Sequence, residues 1–416
     1  MLNRRELLRT GLLSLGAGVT VPTMLSRAAA AAAAETSSSG ISTPDGQTLI
    51  VVQLAGGNDG LNTVVPHADS RYRTLRPNLA LPQDDVLVID DRHGFHKSMT
   101  GLKGLFDRGD LAVVESVGYA HPSFSHFQAM DIWQTADPTE ARREGWLAQL
   151  VEGAVDANGH PLGALALGTQ IPPALCCPPV LPPVLERADL YRLQSDTRNP
   201  ALSTNRDAAL RRLYQSYQAP APYATVLEET SSTAEKSVKE LQASVGSYRA
   251  AVEYPKTPLA DGLKVFASLI ASGAGLKIGY VVLGGFDTHA NQVNQHAMLL
   301  STLDSAVTAF MADMAAQGRS DKVLLVTWSE FGRRAAQNAS GGTDHGSAAP
   351  LFLAGGRVRG GFFGAPPDLS RLDNGNIPFA VDFRSIYSTI LEQWMQTDSK
   401  PLLGGNFATL PILRSA

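Results

Sequence analysis

Five places in this sequence set acids, imidazoles or hydroxyls where an apolar run ends or begins. Lys277 to His289 reads KIGYVVLGGFDTH: an apolar run, a Gly-Gly break, then Asp287 and His289. A carboxylate and an imidazole two residues apart on extended backbone point the same way. Both are good ligands for zinc-like ions. Asp59 follows TLIVVQLA (48–55) in the turn GGNDGLN. Ser123, Ser125 and His126 follow LAVVESV (111–117). A hydroxyl beside an imidazole is a nucleophile candidate; Ser125 with His126 stands first and Ser123 second. Glu330 follows KVLLVT (322–327), and Asp344 and His345 precede LFLA (351–354). Ordinary structural roles are open at the same positions. Asn58-Asp59-Gly60 also suits an Asx turn, and either serine also suits the cap of a helix starting near His126.

The elements that must place these groups follow from patterning. The apolar runs at 48–55, 111–117, 278–283, 322–327 and 351–354 have the length of buried strands. Between them lie helical stretches at 97–108, 259–272, 291–317 and 383–394. In the third, Leu299, Leu300, Leu303, Val307, Phe310 and Met314 share one face and Gly318 ends it. Strands alternating with helices predict a mostly parallel sheet covered on both faces. Such sheets gather the loops of several strands at one edge, where their chemistry sits. Acids and imidazoles converging there suit a hydrolase holding one or two divalent ions, zinc-like or magnesium- or calcium-like.

Residues 138–258 differ in character. A Pro-rich stretch, IPPALCCPPVLPPVLE (171–186), precedes helical patterns at 205–217 and 224–252. We read this region as a largely helical cap inserted beside the sheet. The two cysteines, Cys176 and Cys177, are adjacent and give no disulfide framework; two buried free thiols are expected.

The N-terminus carries an address. Arg4 and Arg5 precede a modest apolar run and an Ala-rich tract ending at Ala34. This is the layout of a twin-arginine export signal over 1–34, followed by a polar linker at 35–47. It predicts a periplasmic or secreted protein, delivered by the twin-arginine machinery, with no stable membrane span after signal removal. Of the 416 residues 44% are hydrophobic, enough for a large core, and the net charge is -4. Residues 1–34 hold four arginines and one glutamate, so the remainder carries -7. An acidic body argues against nucleic acid as a partner.

The stretches LAGGNDGLNTVVP, GDLAVVESVGYAHPSFSHFQAMDIWQ, GGFDTHANQ, VTWSEFGRR and GGTDHGSAAPLFLAGG, with the twin-arginine start, span nearly the whole chain. In them the chain resembles the exported bacterial family catalogued as domain of unknown function 1501, grouped with the alkaline-phosphatase-like (sulfatase-like) superfamily. The resemblance implies a three-layer α/β sandwich with a mostly parallel sheet. It also implies metal-dependent chemistry on small anionic phosphate or sulfate esters. On that pattern Asp287, His289 and His345 match a first metal site, Asp59 matches the carboxylate of a second, and Ser125 or Ser123 falls at the nucleophile. The chain departs from it at Ser329-Glu330, where the superfamily has Asp-His. Glu330 and Asp344 join the ligand candidates, and His121 and His126 are ligands or general acids. Arg333 and Arg334 either clamp an anion or pair with acids. The alternative role is a non-catalytic binding or assembly protein that keeps the fold.

Overall fold

The structure is a computed structural model that describes residues 46–142, 144–156, 160–176, 182–186, 209, 212 and 236–415. Its sheet is built from strands β1 (Thr48–Ala55), β2 (Leu111–Gly118), β3 (Ala164–Leu167), β4 (Val184–Leu185), β5 (Ile278–Gly284), β6 (Val323–Trp328), β7 (Ala349–Ala354), β8 (Gly361–Phe363) and β9 (Val381–Asp382). Helices α1 (Thr100–Asp107), α2 (His126–Thr135), α3 (Ala148–Asp156), α4 (Pro258–Ser272), α5 (Gln292–Ala316) and α6 (Phe383–Thr389) cover it. The strand order is β8-β2-β7-β6-β1-β5-β3-β4, with β9 also on β2. Only β7 runs against the others. The mostly parallel three-layer α/β sandwich is therefore the one the alternation of strands and helices predicts.

The near-continuous apolar runs have a physical reason, because the central strands are buried on both faces. Alternate residues feed two cores. Ile50, Val52, Val113, Leu325 and Phe352 pack under α1, α4 and α5. Leu49, Val51, Val114, Val326 and Leu351 pack under α2, α3 and α6. Helix ends follow local chemistry. Thr257 caps α4 through its hydroxyl, Pro258 sits in its first turn, and Gly273 at φ 74° closes it. α1 has no capping side chain of its own. Asp304 on α5 serves instead, accepting from the amides of Leu102 at 2.6 Å and Gly101 at 3.1 Å.

The directions of the strands decide where chemistry collects. β1, β2, β5 and β6 all end at one edge of the sheet, and the antiparallel β7 begins there. The loops at 56–59, 119–125, 285–291 and 329–331 leave from that edge, and 334–348 leads into β7.

One boundary is corrected. β3 and β4 lie inside the stretch read as a cap, and β3 pairs in parallel with β5 as an integral strand. The proline-rich composition masked short strands that the sheet completes by pairing. Residues 236–247 are helical, within the 224–252 pattern; most of the 205–217 pattern lies outside the described residues, as do the proposed signal and most of the 35–47 linker. Cys176 is a free thiol, half-buried; Cys177 lies outside the described residues. Among the described residues no helix is long and apolar enough to cross a membrane.

Gly56 lets the first loop touch the third. It takes φ 121°, and a Cβ there would overlap the backbone of Phe286 and Asp287. Gly56→Ala is expected to cost roughly 2–4 kcal/mol, from overpacking and an unfavourable φ together. Urea denaturation of wild type and variant measures this.

Candidate metal centre

Asp287 sits three residues beyond β5 and is the point on which the edge loops converge. Its Oδ1 lies 3.1 Å from His289 Nε2, 3.2 Å from His345 Nε2 and 2.8 Å from Arg333 Nη2. Its Oδ2 lies 3.4 Å from His126 Nε2. His289 and His345 bring their Nε2 atoms to 2.9 Å of one another. His126, Asp287 and His345 each offer a ligand atom, all within 4.8 Å of one another.

What lies behind each imidazole decides what it presents in front. His126 Nδ1 is 2.9 Å from Glu330 Oε1. His289 Nδ1 is 3.3 Å from Asp344 Oδ1. His345 Nδ1 is 2.8 Å from the Phe124 carbonyl oxygen. An oxygen acceptor behind Nδ1 assigns the proton to Nδ1 and leaves the Nε2 lone pair facing forward. Metal-binding histidines are oriented in this way by carboxylates and carbonyls. Three lone pairs and a carboxylate facing one another repel unless a cation or protons lie between them. The donor set of imidazole and carboxylate fits a zinc-like ion.

The charge states agree. Burial pushes the Asp287 carboxyl up, but the hydrogen bond from Arg333, the His345 ring nitrogen beside it and the nearby positive charge outweigh it and bring it down to about 2. Burial holds the His345 imidazole below its ordinary value, against the opposing pull of Phe124 and Asp287, so the neutral form needed for ligation is favoured. Asp344 is held low first by the hydrogen bond from Asn338.

The other predicted residues divide by what they touch. Glu330 is buried and its Oε1 accepts from the Gly56 amide and His126, so it orients an imidazole. Asp344 does the same for His289. Both are expected as direct ligands; here their oxygens lie against the Nδ1 atoms of His126 and His289, on the side away from Asp287. Asp59 was expected at a second metal. Its fully buried Oδ2 instead lies 2.6 Å from Arg76 Nη1 and also accepts from Gln292. Arg76 further donates to Asn62 Oδ1, Ala335 O and Arg334 O. A guanidinium thus answers the Asp59 charge where an ion was predicted. His126, the imidazole of the expected catalytic pair, faces Glu330 with one ring nitrogen and Asp287 with the other, and with Asp287 and His345 it forms a group that could hold a metal ion. Ser123 donates to Gln128 Oε1 at 2.6 Å and accepts from the Ser125 amide at 3.2 Å, a structural role in the turn before α2. Ser125 is exposed at the N-cap position of α2, yet its hydroxyl caps nothing and has no hydrogen bond among the described residues. The residue before it, Phe124, holds His345.

Sequence reasoning missed Arg76, Gln292 and His296. Arg76 lies in an unremarkable helix end before Pro77. Gln292 and His296 sit on the first turns of α5 and read as a polar helix face. Their only sequence signal is polarity at positions that turn out to be buried.

Two stability predictions follow from these buried charges. Arg76→Met leaves Asp59 buried without a counter-ion and should cost about 3–5 kcal/mol, whereas Arg76→Met with Asp59→Leu should recover most of it; chemical denaturation of the two variants tests this. His296 is fully buried and burial lowers its imidazole to about 4 from 6.5, with Asp59 pulling the other way. As pH falls from 6.5 towards 4 the unfolded chain takes up a proton that the folded chain refuses. Stability should therefore fall across that window, and His296→Gln should flatten the slope.

No curated protein matches the chain. Among solved structures, it is similar to the C-terminal periplasmic domain of EcEptC from Escherichia coli in complex with Zn, at 13% identity and a TM-score of 0.34, covering 77% of this chain and 75% of that one. It is also similar to the PsFucS1 sulfatase from Pseudoalteromonas sp., at 10% identity and a TM-score of 0.36, covering 92% and 71%. A third is the soluble domain of lipooligosaccharide phosphoethanolamine transferase A from Neisseria meningitidis, at 10% identity and a TM-score of 0.36, covering 85% and 89%. A family model matches residues 46–406, and the chain belongs to that family, described as protein of unknown function (DUF1501).

Proposed function

We propose that this protein is an exported hydrolase of phosphate or sulfate esters that works with one divalent, zinc-like ion. The observation that carries the reading is the set of three imidazoles, each backed by an oxygen at Nδ1, with Nε2 atoms turned onto Asp287. His126, His289, His345 and Asp287 would hold the ion. A bound ion of this kind supplies Lewis-acid stabilisation of charge on the reacting ester. One ion suffices for the reading, because Arg76 already neutralises Asp59.

The chain's own residues supply the rest. Ser125 is the nucleophile: its Oγ bonds to the phosphorus or sulfur, its proton goes to solvent, and the ester's alcohol leaves with a proton from water. Water then cleaves the Ser125 ester, returning the hydroxyl and releasing phosphate or sulfate, or a phosphate monoester where the substrate is a diester. The paired arginines at Arg4 and Arg5 support twin-arginine export to the periplasm or beyond, and the acidic body gives no attraction for nucleic acid.

Metal content of the exported protein and calorimetric zinc titration test the centre. Glu330→Gln, which weakens the acceptor behind His126, should loosen zinc by about 10- to 100-fold. Ser125→Ala should leave zinc binding intact and reduce turnover of aryl phosphate, phosphodiester or sulfate esters by roughly three orders of magnitude or more. Absence of divalent-ion binding would overturn the metal centre. Zinc binding with no turnover of any ester would assign the protein to binding or assembly at the cell envelope.

A further inference from the structure

Two consecutive arginines leave the edge of the sheet in opposite ways. Arg333 turns inward and is fully buried, with its N–H groups spent on carbonyl oxygens and Asp287. Arg334 turns outward. It lines an open cavity of about 390 Å³ together with Phe124, His289, Asp344, His345 and Asn376. The only acceptor for its side chain among the described residues is the Asn374 carbonyl oxygen. Its guanidinium lies against Gly375, so closely that a Cβ there would come within 2.6 Å of Nη2 and 3.3 Å of Cζ and Nε. Gly375 takes φ 84° in a turn closed by the pairing of Asp373 with Asn376. The turn therefore fixes the guanidinium while leaving donors for a ligand. The same cavity is lined by two of the histidines that face Asp287.

The charges around this cavity are few. An ion of charge two with Arg333 and Arg334 faces three carboxylates, Asp287, Glu330 and Asp344. One positive charge is left over. Asp344 stands exposed in the cavity wall and would repel a second negative charge on a ligand.

We propose that Arg334 binds the substrate anion and that the site selects esters carrying a single negative charge, sulfate monoesters or phosphodiesters, over doubly charged phosphate monoesters. The proposal rests on the single-ion hydrolase reading above and narrows its substrate class. Arg is suited to the task because its planar fork meets two oxygens of one tetrahedral anion. Hydrolysis breaks the sulfur–oxygen or phosphorus–oxygen bond to the leaving alcohol and consumes one water, with no change of oxidation state.

The test uses the zinc-loaded full chain and reads binding apart from turnover. Calorimetry at pH 8 compares methyl sulfate and dimethyl phosphate, both singly charged, with doubly charged methyl phosphate. The singly charged ligands should bind about tenfold more tightly or better. Arg334→Ala should weaken them by roughly 10- to 100-fold, the worth of a hydrogen bond to a charged group, and Arg334→Lys should fall between. Zinc content and melting temperature of each variant, unchanged from wild type, establish that the centre and fold persist. Turnover of 4-nitrophenyl sulfate, bis(4-nitrophenyl) phosphate and 4-nitrophenyl phosphate then identifies which source of the anion is used; Arg334→Ala should raise KM for the preferred ester. Tighter binding of methyl phosphate, or singly charged ligands that bind Arg334→Ala as well as wild type, overturns the proposal even where turnover upholds the hydrolase. Binding that depends on Arg334 without turnover of any ester supports the anion site and overturns the hydrolase.

Discussion

The buried guanidinium of Arg333 is the interaction on which the arrangement of the site depends. It donates to the carbonyl oxygens of Gly56 and Gly57 from the first loop, of Phe286 from the loop after β5, and of Thr343 from the loop before β7. It also donates to Asp287 itself. Three loops that leave separate strands are thereby gathered onto one side chain. Carbonyl oxygens at strand ends lack ladder partners, and leaving them buried and unpaired would be costly. Arginine can answer this, since it has five donors in a fixed plane and stays charged.

A second buried guanidinium repeats the device one step further back. Arg76 joins Asp59, Asn62 and the backbone at 334–335. Gln292 links Asp59 to the hydroxyls of Thr288 and Thr343. Thr288 lies between Asp287 and His289, so this network fixes the residue between the two. Buried ion pairs of this kind add little net stability compared with apolar packing, but they penalise alternative arrangements, because each partner left alone is a buried charge. Placing three loops uniquely is a task such penalties serve well.

This division explains what the sequence revealed. The strands were legible because burial on both faces demands unbroken apolar runs; 48–55 and 111–117 fall almost residue for residue on β1 and β2. β3 and β4 were not, because four- and two-residue strands beside prolines carry no periodicity and form only by pairing with a sheet already present. At the site, residue types and the likeness in the GGFDTH and GGTDHG stretches both pointed to Asp287, His289 and His345, whose side chains the fold brings together. Whether an acid ligates or orients was not legible. Glu330 and Asp344 have the chemistry of ligands, and only the nitrogen each one faces shows that it stands behind a histidine. Asp59 shows the same limit more sharply, since its partner Arg76 lies 17 residues on with no motif to mark it.

Exposure then separates the site into two parts with different physical tasks. Asp287 and His289 have side chains 46% and 43% exposed, whereas those of Glu330 and Arg333 are 1% and 0% exposed. Glu330 and Arg333 are sealed in a medium of low dielectric, where hydrogen bonds are strong and hold their geometry, whereas Asp344 behind His289 is itself 53% exposed. Of the groups gathered on Asp287, His289 and His345 line the open cavity beside Arg334. Solvent therefore reaches Asp287 and His289 without reaching Glu330 or Arg333. Preorganisation and access, which oppose each other when one residue must supply both, fall to different residues in the pairs His126 with Glu330 and Asp287 with Arg333, where a half-exposed or partly exposed side chain rests on a buried one.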